Sequence, residues 1–141
     1  MILIVMSTIT CPTAVRFELK IEGVNVIHDR KSWTAKLALG TVQFGMDYGV
    51  SNKTGQVTSE VVAEILRHAA SIGLNTLDTA SAYGNSEEVI GKVLRANTFK
   101  FDLVSKFAKE TVVETLETSL EQSLAKLSVS SLKAYLAHDF E

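Results

Sequence analysis

The sequence lacks several features that define whole classes of protein. Its 141 residues include one cysteine, Cys11, so no disulfide can form within the chain, which fits a reducing compartment. No apolar run approaches the ~20 residues of a membrane span, and the apolar start, residues 1–6, is too short for a signal-peptide core. Fourteen basic and 16 acidic residues nearly balance, so charge favours neither nucleic acid nor a membrane surface as partner. We therefore expect a cytoplasmic protein.

The chain divides into an extension and one ordinary domain. Its length suits a single domain, and 46% hydrophobic with 21% charged residues is typical of a soluble globular protein. In residues 17–28, "FELKIEGVNVIH", apolar and polar residues alternate around Glu22-Gly23, a pattern compatible with a β-hairpin. We assign residues 1–35 to the extension and 36–141 to the domain.

Strand and helix patterns alternate through the domain. The predicted strands are residues 36–41, 74–79, 101–107 and 132–138, and the predicted helices are residues 58–73, 86–96 and 111–127. Such alternation predicts an α/β fold with a parallel sheet and right-handed helical crossovers. A doubly wound open sheet and an eight-stranded barrel both satisfy this order. No Gly-x-Gly-x-x-Gly turn follows the first strand, so the dinucleotide-binding open sheet has no local support.

Polar residues with capping ability stand at the predicted helix starts. Thr58 or Ser59 can begin the first helix, and Ser86 is the predicted N-cap of the second. Thr111 and Glu114 have the spacing of a capping box for the third. At the other end of the first helix, Gly73 can terminate the helix.

Ionisable groups follow three consecutive predicted strands. Asp78 ends the second strand, Lys106 the third and His138 the fourth, and Tyr83 lies in the loop after the second strand. Because the carboxyl ends of parallel strands lie on one side of the sheet, these four side chains should converge on one rim. That rim is where barrel enzymes keep their active sites.

The segments "LALGTVQFG" (37–45), "LDTASAYGNSEEVIGKVL" (77–94), "LVSK" (103–106) and "YLAHD" (135–139) resemble the aldo-keto reductases, in order and at suitable spacing. The resemblance covers residues 36–141. It implies a (β/α)8 barrel, of which this chain carries the first four units, that reduces carbonyls to alcohols with NADPH and binds no metal. It also implies a catalytic tetrad and a set of residues near the nicotinamide, which here are Asp78, Tyr83, Lys106 and His138 for the tetrad and Gly40, Thr41, Val42 and Asp78 for the cofactor.

The chemistry of the four polar residues supports the same interpretation without the family. Hydride delivery to a carbonyl leaves negative charge on the oxygen, and a proton must arrive. A tyrosine, with a free pKa near ~10, is protonated at pH 7 and can act as general acid. A buried ammonium such as that of Lys106 favours the phenolate, Asp78 can hold that ammonium, and His138 can orient the carbonyl.

The chain has half the strands that a closed barrel needs. Eight-stranded barrels have about 250 residues, and in the family most cofactor contacts come from the second half. We therefore expect a truncated, inactive chain, or alternatively a non-enzymatic remnant or interaction module that keeps the tetrad. The barrel lining should be exposed and support self-association; the candidate lining residues are Leu37, Leu39, Leu103 and either Tyr135 or Leu136.

Overall fold

The computed structural model describes residues 34, 36–50, 52–108 and 111–138. Strands and helices alternate along this part of the chain, which confirms the predicted order. The elements are β1 (Ala38–Gly40), α1 (Val42–Gly45), α2 (Ser59–Ser71), β2 (Thr76–Asp78), α3 (Ser86–Ala96), β3 (Asp102–Phe107), α4 (Val113–Leu127) and β4 (Ala134–Ala137). The sequence pattern does not predict the one-turn helix α1. The hairpin predicted within residues 17–28 lies outside the described residues.

The described strands form one parallel sheet in the order β1-β2-β3-β4. Leu39, Leu77 and Leu103 occupy one row across the first three strands, and Lys106 pairs with Leu136 across β3 and β4. In a doubly wound sheet the strand order reverses at a switch point. Here each strand lies beside its predecessor, as in a (β/α)8 barrel. The sheet is therefore an α/β half-barrel, as predicted.

One face of the sheet is covered by α2, α3 and α4. Leu77 is fully buried and Leu103 is 3% exposed, and both pack against helix side chains in a single core. The buried members of this core are Phe44, Val62, Leu66, Leu77, Ile90, Val93, Leu103 and Leu127. Burial of a large apolar side chain contributes about 1.5–3 kcal/mol, so this layer stabilises the unit and fixes the direction of each strand.

The other face of the sheet carries the barrel lining, and the prediction is wrong for Leu39, for Leu103 and for the Tyr135 alternative. Leu103 lies in the helix-covered core, and the Tyr135 hydroxyl lies 2.8 Å from the Ser119 hydroxyl of α4, so both face the helices. Leu136, the alternative to Tyr135, is 47% exposed on the lining face. Leu39 packs against the core as well. Because side chains alternate along a strand, an error of one residue in phase exchanges the two faces.

The predicted caps of α3 and α4 are wrong. Asn85 and Val112 are the N-cap residues of these helices, and neither makes a side-chain cap hydrogen bond. Ser86 is the first residue of α3, so its hydroxyl is one position too late to act as the cap. Thr111 likewise stands before the cap of α4, which leaves Glu114 without the partner of a capping box.

The predicted limits of α2 are confirmed. Thr58 occupies its N-cap position without a side-chain cap bond. The exposed Glu60 carboxylate accepts hydrogen bonds from its own backbone N–H and from the Thr58 side chain, and these bonds hold its pKa below the ordinary value. After the helix, Gly73 has φ +79°, a left-handed conformation that favours glycine. The chain therefore turns at Gly73 into β2.

The contact between α3 and α4 depends on a glycine. A Cβ on Gly91 would lie 2.2 Å from the Lys126 carbonyl oxygen. We therefore expect Gly91→Ala to lower the free energy of unfolding by about 1–3 kcal/mol through overpacking, although alanine in a helix normally stabilises by about 0.5–1 kcal/mol relative to glycine. Urea unfolding measures the change. Lys92→Ala, at the adjacent exposed position, is the control and should stay within about 0.5 kcal/mol. An unchanged or raised midpoint for Gly91→Ala would contradict the close contact.

Candidate active site

The four predicted catalytic residues lie at the carboxyl ends of the strands. Asp78 is the last residue of β2, and Lys106 is the penultimate residue of β3. His138 follows β4 directly, and Tyr83 lies in the loop between β2 and α3. All four strands are parallel, so these positions share one rim of the sheet.

Asp78 and Lys106 form a largely buried ion pair. The Lys106 ammonium donates a hydrogen bond to Asp78 Oδ1 and another, of 3.0 Å, to the Thr79 carbonyl oxygen. The Asp78 side chain is 15% exposed and the Lys106 side chain is 12% exposed. These two bonds fix the ammonium in position, and the Asp78 carboxylate balances its charge. Such a pair breaks at a higher energetic cost than a pair on the surface.

The ring of Tyr83 contacts two of the other three members of the tetrad. The Lys106 Nζ atom is 5.4 Å from the centroid of this ring, within the range of a cation–π contact. The His138 ring meets it edge to face, with centroids 5.5 Å apart and an interplanar angle of 84°. Contacts therefore run without a break from Asp78 through Lys106 and Tyr83 to His138.

This arrangement can perform acid–base chemistry on a polarised oxygen. A phenol is a proton donor at neutral pH, and a paired ammonium in contact with its ring stabilises the phenolate that donation leaves behind. An imidazole beside the phenol can hydrogen-bond the same acceptor and fix its orientation. The site therefore offers one proton donor, one electrostatic stabiliser and one orienting group.

The predicted cofactor residues lie beside the ion pair, where β1 ends. Gly40 is the register partner of Asp78 on the adjacent strand, and having no side chain it leaves the lining face next to that carboxylate clear. Thr41 is fully buried, and its hydroxyl donates to the Asp78 carbonyl oxygen at 3.0 Å. Val42 begins α1. The lining face beside Asp78 is therefore free of a side chain at Gly40, whereas the Thr41 hydroxyl is already used within the protein.

Three hydroxyl residues near the tetrad were not predicted to support the site, although Ser86 was predicted to cap a helix. The backbone N–H and the hydroxyl of Ser81 both donate to the Lys106 carbonyl oxygen, at 3.0 and 2.9 Å. Thr79 and Ser86 are fully buried behind the rim. All three belong to the run 77–94 that also holds Asp78 and Tyr83. The high density of hydroxyl residues in that run was the sequence signal that could have identified them.

A second buried pair joins α3 to β3 beside the site. The Ser105 hydroxyl donates to Glu87 Oε1 at 2.6 Å, and both residues are buried. Ser105 immediately precedes Lys106 and faces the helices, because neighbouring strand residues point to opposite faces. This bond holds the strand that presents Lys106 against α3.

The described residues contain no cluster of three side chains suited to hold a metal ion. The same residues include no helix with the length and apolar character needed to cross a bilayer.

Comparison with known proteins points to one family. The sequence profile described as the aldo/keto reductase family matches residues 36–141. The chain is 29% identical over 100 residues to an NAD/NADP-dependent indole-3-acetaldehyde reductase of Schizosaccharomyces pombe, a match that covers 71% of this chain and 33% of that protein.

Solved structures agree with the sequence comparison. PA4992 of Pseudomonas aeruginosa, described as an aldo-keto reductase, superposes with a TM-score of 0.61 at 34% identity, over 72% of this chain and 42% of its own. A second structure of an aldo-keto reductase from that organism gives a TM-score of 0.60 at 32% identity, over 72% and 40%. The chain thus spans less than half the length of the relatives that it matches.

Proposed function

Because the chain belongs to the aldo/keto reductase family, we propose that residues 36–141 form the catalytic half of an NADPH-dependent reductase that converts a carbonyl to an alcohol. The continuous contacts from Asp78 through Lys106 and Tyr83 to His138 carry this proposal. The substrate is a small molecule with an aldehyde or ketone group. The single cysteine supports a reducing compartment, and we place the protein in the cytoplasm.

Each member of the tetrad has its own task in this proposal. Tyr83 donates its phenolic proton to the carbonyl oxygen as that oxygen gains negative charge. Lys106 stabilises the phenolate that remains, and Asp78 holds the ammonium in place and balances its charge. His138 hydrogen-bonds the carbonyl oxygen and orients it. General acid catalysis by a positioned side chain typically contributes about 10²–10⁴-fold.

The cofactor supplies the hydride when it is bound. Gly40 and Asp78 would hold its nicotinamide end because they are register partners at the rim, together with Val42, which begins α1 two residues after Gly40. Thr41 would act through its backbone, since its hydroxyl bonds the Asp78 carbonyl oxygen. The remaining cofactor contacts belong, by family resemblance, to the half of the barrel that these 141 residues do not include.

We propose that the 141-residue chain by itself turns over little or no substrate. The tetrad acts only on a carbonyl held against a positioned nicotinamide, and such orientation can lower the barrier by as much as about 7–11 kcal/mol. The lining face, with Leu136 at 47% exposure, supports self-association of the half-barrel. A non-enzymatic interaction module is the second candidate, and the exposed apolar side chain of Leu136 on the lining face favours it.

A chimera tests the proposal directly. Residues 36–138 would replace the corresponding half of PA4992, and NADPH oxidation would be followed with a reactive aldehyde. We expect the chimera to turn over the aldehyde. We expect the 141-residue chain alone to show no turnover and no NADPH binding by fluorescence titration. Light scattering of the isolated chain measures its self-association. A folded chimera that binds NADPH without turnover would favour the interaction module, and sustained turnover by the isolated chain would contradict its proposed inactivity.

A further inference from the structure

Three buried hydroxyl groups meet behind the rim. Ser86 Oγ lies 3.0 Å from the Thr41 carbonyl oxygen and 3.1 Å from Thr41 Oγ1, and it accepts a hydrogen bond of 3.1 Å from Thr79 Oγ1. All three residues have zero exposure. We call Thr41, Thr79 and Ser86 the hydroxyl node.

The node connects the end of β1 to two positions that follow β2. Thr41 follows β1, Thr79 follows β2, and Ser86 begins α3. A buried hydroxyl that loses its partner costs about 1–3 kcal/mol, so these bonds constrain the three segments to one relative position. A serine that capped α3 would spend its hydroxyl on the helix backbone, and Ser86 does not.

Each member of the node is one hydrogen bond away from the tetrad. Thr41 Oγ1 donates to the Asp78 carbonyl oxygen at 3.0 Å. The Thr79 carbonyl oxygen accepts from Lys106 Nζ at 3.0 Å. The Ser86 backbone N–H donates to the Tyr83 carbonyl oxygen, also at 3.0 Å. The node therefore holds the backbone at the end of β2, which carries Asp78, and in the following loop, which carries Tyr83.

Close backbone packing reinforces the Tyr83 segment. A Cβ on Gly45 would lie 1.8 Å from the Tyr83 carbonyl oxygen, and one on Gly84 would lie 2.3 Å from the Gly45 carbonyl oxygen. Gly84 also has φ +57°, a conformation that few side chains tolerate. The end of α1 at Gly45 thus packs directly against the backbone of Tyr83 and Gly84, with Ser86 bonded at the same place.

From these contacts we infer that Ser86 is a positioning residue, which sets the Tyr83 ring against Lys106 and His138 through the hydroxyl node. The catalytic consequence rests on the proposed function, since it concerns the general acid of that reaction. The positioning itself is a property of the folded chain and can be measured without cofactor or substrate.

Proton NMR of the full 141-residue chain tests the inference. The His138 ring protons lie against the Tyr83 ring, with centroids 5.5 Å apart, so they sense its ring current, and the chain has only three histidines to distinguish. We expect Ser86→Ala to move the His138 ring signals toward their positions in Tyr83→Leu and to remove the cross-relaxation between the two rings. His138→Gln identifies the signals.

Two further variants keep the test decisive. Ser123→Ala removes another buried serine hydroxyl, which lies 3.4 Å from the Tyr135 hydroxyl on the helix side, and it should leave the His138 signals unchanged. Thr79→Val keeps the side-chain shape while removing a hydroxyl from the node, and it should shift the same signals; Thr79→Ser should restore them. If Ser86→Ala does not fold, the two Thr79 variants decide on the same readout.

The inference is overturned by either of two results. One is a folded Ser86→Ala or Thr79→Val chain whose His138 and Tyr83 signals match those of the original sequence. The other is an equal shift in Ser123→Ala, which would mean that general loosening of the fold moves the rings. Because neither result involves NADPH or turnover, failure of the inference is distinct from failure of the chimera.

Discussion

Replacing Tyr83 by phenylalanine is expected to lower turnover of the chimera about 10²–10⁴-fold, the usual contribution of a positioned general acid. The variant loses only the phenolic O–H. Its ring can still contact Lys106 and His138 as the tyrosine ring does. The carbonyl oxygen would then gain charge without receiving a proton. Because the proton transfer occurs only in the transition state, kcat should fall while KM changes little.

Tyr135→Phe is the matched control for this experiment. This variant also loses one phenolic O–H. In the original sequence that hydroxyl bonds Ser119 of α4, on the helix-covered side of the sheet and away from the tetrad. The control should lose some stability and keep its turnover. Steady-state rates with NADPH and an aldehyde measure both variants. Equal rates for Tyr83→Phe and the original chimera would remove Tyr83 from the role of proton donor.

Replacing Lys106 by methionine is expected to lower the free energy of unfolding by about 3 kcal/mol. Removal of one partner from a buried pair costs about 3–5 kcal/mol, because the remaining charge is left uncompensated. We expect a loss near the lower end of this range because the side chains of Asp78 and Lys106 are still 15% and 12% exposed. Water can therefore partly solvate the carboxylate that remains. The Thr79 carbonyl oxygen also loses its ammonium donor.

The chain contains a matched control for this pair. Lys133 and Asp102 join two neighbouring strands in the same way, at 2.6 Å, but their side chains are 55% and 46% exposed. Lys133→Met should therefore cost only about 0–1 kcal/mol. Urea unfolding of both variants measures the difference. Asp78→Asn combined with Lys106→Met should recover part of the loss, because no charge is then left unpaired. Equal costs for the two lysines would contradict the burial of the Asp78–Lys106 pair.

The sequence predicts the elements of the half-barrel because strand and helix patterns are local. Apolar residues at helical spacing and short runs closed by turn residues indicate each element within about ten residues of chain. The order of elements then restricts the topology to parallel strands joined by helices. Asp78, Lys106 and His138 are each at a strand end in that scheme, which is why their convergence on one rim could be expected before any coordinates.

The sequence does not predict the partners of individual side chains, because those partners come from distant segments. Ser86 has the local appearance of a helix cap, yet its hydroxyl bonds Thr41, 45 positions earlier. The lining of the barrel shows the same limit: Leu103 and Leu136 are both apolar strand residues, and only the phase of each strand decides which of them faces the helices.

The sequence alone therefore determined the α/β order and the four residues of the candidate site, since both follow from patterns within single strand–helix units. Tertiary structure decided which sheet face is covered, where the Ser86 hydroxyl bonds, and how Tyr83 meets Lys106 and His138. These depend on strand phase and on close backbone contacts such as that between Gly45 and Tyr83. A buried polar group bonds whichever partner the packed fold brings within reach, and local sequence carries no record of that partner.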